Sequence, residues 1–86
     1  MNGYYVGVSK GQFKGGLVSM DIIAEIGETA GEVWRLLDSS GPLTLAHVKK
    51  KLHRPSELLS FAVGWLARED KLEITYEKKN YRLQVK

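Results

Sequence analysis

The sequence predicts an α+β fold that is mainly α: three helices, a short strand after the first, and a C-terminal β-hairpin. Three observations carry this. Apolar residues recur at spacings of three and four from Ile22 to Leu37 and again in two later stretches, the period of amphipathic helices. Gly41-Pro42 and Pro55 punctuate those stretches. From Leu72 the period changes to two and, apart from a polar break, holds to Val85.

With 86 residues the chain makes one small domain, able to bury roughly 60% of the surface its unfolded form exposes. It contains no cysteine, which excludes a disulfide framework, a thiolate metal cluster and a cysteine nucleophile, and suits a reducing compartment. No apolar run approaches the roughly 20 residues of a membrane span, and Lys10 is not followed by a signal-peptide core, so a soluble, cytoplasmic protein is expected. The net charge of +3 is mild, but its distribution is polarised. Asp21, Glu25, Glu28, Glu32 and Asp38 make the first helical region acidic, whereas Lys49, Lys50, Lys51 and Arg54 cluster with no acid among them.

Residues 1–19 place glycine at 3, 7, 11 and 15 and offer few apolar anchors, so a flexible tail is expected, with the folded domain over 20–86. Tyr4, Tyr5 and Phe13 also allow an extended arm that docks on a partner, and Met20 is an alternative start of the folded domain. The well-supported part of the first helix is about 30–39, opened by a Thr29/Glu32 capping box and closed by Gly41 and Pro42. Gly27 weakens continuity, which leaves residues 22–26 as a separate turn or lead-in.

Leu43 and Thr44 suffice for a bridge-length strand, and Thr44 can cap a second helix whose stripe is Leu45, Val48 and Leu52. Pro55 suits the first position of a third helix, with Glu57 near the positive end of its dipole. Leu59, Ala62, Val63 and Leu66 form the inward stripe of that helix, which runs to about Glu69, where Asp70 tolerates a left-handed cap. Leu72, Ile74 and Tyr76 then alternate with polar residues, as do Tyr81, Leu83 and Val85 after a turn at 78–80. Helix, short strand, helix, helix and hairpin is the order of a winged helix-turn-helix domain with the hairpin as wing.

The stretches "AGEVWRLLDSSGPLTL" and "PSELLSFAVGWLAREDKLEI" resemble bacterial winged helix-turn-helix proteins, most closely a small family of unknown function, over roughly residues 20–86. The resemblance implies the winged-helix fold and leans toward homodimers. It transfers no ligand or catalytic residue, because its motifs describe a core.

In such a domain the third helix enters the major groove, where exposed Arg, Lys, Asn or Gln read base edges. Opposite the inward stripe lie Glu57, Ser60, Phe61 and Gly64, of which only Ser60 is a natural, though ambiguous, base partner. Phe61 and Gly64, with Glu57 beside them, suit a protein interface; alternatively Phe61 packs against the wing as core. For nucleic acid the candidates are Lys49, Lys50, Lys51 and Arg54 around the end of the second helix, Ser56 and Ser60 on the third, and Lys78, Lys79 and Arg82 in the wing, chiefly as phosphate contacts. A lysine face that merely keeps the protein soluble is the plain alternative. His47 and His53 lack the four-residue spacing of paired helical ligands, so no metal, cofactor or enzymatic activity is expected. Two functions remain: a regulator that binds double-stranded DNA mainly through phosphates, or a homodimeric or partner-binding module that does not read DNA sequence. Neither a membrane nor a small-molecule substrate is indicated.

Overall fold

The computed structural model describes residues 19–86, with side chains from residue 21. The expected tail and docking arm lie outside the described residues. Helix α1 spans Ser19–Ser40, strand β1 Leu43–Thr44, helix α2 Leu45–Lys51, helix α3 Ser56–Arg68, strand β2 Leu72–Glu77 and strand β3 Asn80–Val85. This is the expected winged helix: three helices and an antiparallel sheet. The sheet is three-stranded, in the order β1-β3-β2, because the short strand joins the hairpin and sets Leu43 opposite Leu83 and Thr44 opposite Arg82.

Helix α1 corrects the expected boundary. It runs unbroken for 22 residues rather than starting near residue 30. Glycine inside a helix costs roughly 0.5–1 kcal/mol relative to alanine. That cost at Gly27 is too small to interrupt a helix whose neighbours on both sides are propagating it. The Thr29/Glu32 capping box consequently does not form. Thr29 lies inside the helix, fully buried with its hydroxyl unpartnered, and Glu32 bonds to Arg54 instead. The Thr-x-x-Glu spacing is local, and a helix that continues through it leaves no free amides to cap.

Two short turns aim α3. Thr44 caps α2, accepting a hydrogen bond from the His47 amide at 3.2 Å. Extended backbone at Leu52 then ends α2, with the Leu52 amide donating to Val48 at 3.0 Å. Pro55 proves to be the residue that caps α3, not its first helical position: its ψ of 142° is extended, while its carbonyl accepts from the Leu59 amide. At the other end Asp70 takes a left-handed φ of 63°. Its amide donates to Ala67 at 3.1 Å and that of Lys71 to Leu66 at 3.0 Å, a Schellman closure that turns the chain into the wing.

The core lies where α1, α3 and the sheet meet. Val33 and Leu37 of α1, Leu59, Ala62 and Leu66 of α3, and Leu72 and Leu83 of the sheet are all nearly or completely buried. Each such leucine or valine contributes roughly 1.5–3 kcal/mol by leaving water. The first half of α1 is different: from Asp21 to Glu28 every residue is exposed except half-buried Ile26.

Candidate functional site

The outer face of α3 can now be read directly. Its inward stripe is buried as expected, and Ser56, Glu57, Ser60, Phe61 and Gly64 are all exposed. Phe61 is 56% exposed, so it is not a core residue packed under the wing. Trp65, one turn further on the same flank, is 45% exposed. Of this face, only the hydroxyls of Ser56 and Ser60 are neutral hydrogen-bonding groups suited to a base edge, and Glu57 sets a negative charge where phosphates would approach.

The cations fall into separate groups. Lys50 and Lys51 are exposed and Lys49 is half-buried at the end of α2. Lys78 and Lys79 form the two-residue tip of the wing, both at left-handed φ (51° and 67°), as a type I′ hairpin turn requires. Asn80 already belongs to β3, so the turn is one residue shorter than expected. Arg82 is exposed on β3, opposite Thr75 on one side and Thr44, the cap of α2, on the other, and it donates to Gln84 at 3.3 Å.

Arg54 behaves differently from the lysines. Its Nε donates to Glu32 Oε1 at 3.1 Å and its Nη2 to Oε2 at 2.7 Å, with Glu28 at 3.8 Å. These hydrogen bonds hold the Glu32 carboxyl below its ordinary pKa and raise that of the guanidinium. Arg54 therefore ties the start of α3 to α1, a contact across 22 residues of sequence. Among the described residues, no ion pair engages Lys49, Lys50, Lys51, Lys78 or Lys79.

Two features escaped the sequence. The wing's apolar face extends past the core: Tyr76 and Tyr81 face each other across the strands with ring centroids 4.7 Å apart, and both are exposed. A groove of about 700 Å³ also opens between α1 and the end of α3, lined by Gly27, Gly31 and Trp34 on one side and Trp65 and Leu66 on the other. Arg35, Asp70, Lys71 and Lys86 stand at its edge. The signal for it was present in the sequence, since residues 23, 27, 30 and 34 repeat at helical spacing beside the core stripe.

Among the described residues no group of acidic, histidine or cysteine side chains could hold a metal, and no helix is long and apolar enough to cross a membrane. The family model described as "Winged helix-turn-helix domain (DUF2582)" matches residues 20–86. The chain is also 36% identical over 69 residues to a protein of Methanocaldococcus jannaschii named "Uncharacterized protein MJ1608", covering 77% of this chain and 97% of that one. That relative is archaeal, so the match supports the family without supporting a bacterial affiliation. Helices, wing and family match agree, and the chain belongs to the winged helix-turn-helix domain family DUF2582.

Proposed function

We propose that this winged helix works by protein contact, its α3 flank covered by a second copy of the chain or another polypeptide rather than set into a DNA groove. The observation that carries this is the pair Phe61 and Trp65, large aromatic side chains exposed one turn apart at 56% and 45%. Covering what remains exposed of each is worth about 1 kcal/mol, and aromatic anchors of this kind dominate protein interfaces. Gly64 beside them supports the same reading. A Cβ there would meet nothing within 4 Å, so packing inside the domain does not call for a glycine, whereas close approach by a partner does.

Sedimentation velocity on the full chain tests the homodimeric form. An assembly larger than one chain is expected, and Phe61→Asp should weaken it by about tenfold or more, the effect of losing a central interface contact. A monomer at every concentration, indifferent to Phe61→Asp, would remove that form.

A second reading is favoured by the unpaired lysines. The wing tip holds Lys78 and Lys79 in a turn conformation that lysine rarely adopts, projecting two charges at the place where winged helices meet DNA backbones. With about five phosphates engaged, log affinity for duplex DNA should fall with log salt at a slope of roughly −4 to −5. Replacing both wing-tip lysines by alanine should flatten that slope by about 2. Absence of binding at low salt in a fluorescence-anisotropy titration would eliminate DNA as the ligand.

A further inference from the structure

We propose that the groove between Trp34 and Trp65 receives the first half of α1 from a second copy of the chain, in an antiparallel, twofold arrangement centred near Gly27. The inference rests on the protein-contact reading above and names both the partner and the surface.

Three independent observations converge on that occupant. First, the first half of α1 carries an apolar stripe that nothing among the described residues covers: Ile22 is 48% and Ile23 69% exposed, and Ile26 is only half-buried. Ile22 and Ile26 continue the stripe that Thr29, Ala30 and Val33 bury further along the same helix. Ile23 continues the groove-lining stripe of Gly27, Ala30 and Trp34. Second, the charges are complementary. From Asp21 to Glu28 the helix carries Asp21, Glu25 and Glu28 and no cation, while the groove edge carries Arg35, Lys71 and Lys86 against the single acid Asp70. Asp70 is already engaged by Lys86 at 2.6 Å. Third, Gly27 lies mid-helix at the groove with nothing within 4 Å of its Cβ position, so the domain itself gives no packing reason for a residue that weakens helices. A second helix crossing there supplies one, since two backbones meet closely only over small residues.

A twofold axis near Gly27 satisfies all three at once. It lays the second copy's Ile23 over Gly31 and brings its Asp21 alongside Arg35. Because the contact is isologous, each copy's uncovered helix fills the other's groove, and the assembly closes at two.

Sedimentation equilibrium of the full chain, alongside Ile23→Glu, Gly27→Gln and the exposed α2 control Ala46→Glu, decides the matter. The wild type and the control should dimerise. Ile23→Glu and Gly27→Gln should each raise the dimer dissociation constant by roughly tenfold or more. Gly27→Gln carries its own safeguard against trivial unfolding: measured at concentrations where the chain is monomeric, its urea midpoint should rise, because glutamine is the better helix former. A dimer that both variants leave within about threefold would overturn the α1 docking while sparing the protein-contact reading. A wild type monomeric at hundreds of micromolar would overturn the docking together with the homodimeric form of that reading.

Discussion

The two faces of α3 follow different rules. The inner face, Leu59, Ala62, Val63 and Leu66, is carbon alone and almost wholly buried. The outer face mixes Glu57, Ser60, Phe61 and Gly64, and everything on it is exposed. The inner face is dictated by the domain, since any other chemistry there would bury an unsatisfied group. Nothing in the domain dictates the outer face, so its residue types reflect what meets it from outside. Phe61 and Gly64 are poor choices for water and for a phosphate backbone, and good ones for a polypeptide.

The sharpest way to break this contrast is to truncate adjacent residues on opposite faces. Leu59 is completely buried, and Leu59→Ala should cost about 2–5 kcal/mol through lost transfer energy and a cavity. Ser60→Ala, one residue away on the exposed face, should stay within about 0.5 kcal/mol. Urea unfolding at one protein concentration measures both. Similar losses would mean that the outer face is held by the domain after all.

What the sequence made legible is the inner face and the elements that carry it. The stripe of α3, the Thr44 cap, the left-handed Asp70 and the alternating wing are set by neighbours within a few residues, and each appears where its pattern places it. Thr29 shows where local reading stops. The Thr-x-x-Glu signature and Gly27 both suggested a helix start, but whether a helix continues depends on packing that the local pattern omits. The Arg54 bond to Glu32 spans 22 residues, and the Trp34–Trp65 groove is assembled from α1, α3 and the chain's last residue. The pairing of such distant residues has no local pattern, although α1's own side of the groove repeats at helical spacing.

Thr29 also extends the contrast to α1, as the one buried polar side chain among the described residues. Its hydroxyl has no partner, and valine has nearly the same shape. Burying an unbonded hydroxyl costs about 1–3 kcal/mol. Thr29→Val should therefore stabilise the domain by about 1 kcal/mol, seen as a higher urea midpoint with an unchanged slope. A loss of stability would show that the hydroxyl is bonded in solution, and that the inner faces tolerate more polarity than α3 suggests.

The smallest expected effect concerns the tie that aims both faces. Arg54 holds the start of α3 against α1 through Glu32, whose carboxyl is held below its ordinary pKa of 4.5 first by the Arg54 hydrogen bonds. A carboxyl whose pKa is lower folded than unfolded contributes stability that is fully present above the unfolded value and is lost as pH falls through the folded one. The contribution should be constant from neutral pH down to about 5 and fade below that. Glu32→Gln removes the charge but keeps the shape, so wild type and variant should differ in urea midpoint at pH 7 and converge as pH falls through the lowered folded pKa of Glu32. Glu32 is one-third exposed, which screens the pair and keeps the difference small. Asp70→Asn is the control at the other end of α3: it removes the partner of Lys86, whose pKa that contact raises, but leaves α3 tied to α1. If Glu32→Gln and Asp70→Asn alter the acid limb alike, the Arg54 tie has no special part in the stability lost in acid. If only Glu32→Gln alters it, the bond from Arg54 to Glu32, which joins the start of α3 to α1, is the contact whose loss the acid limb records.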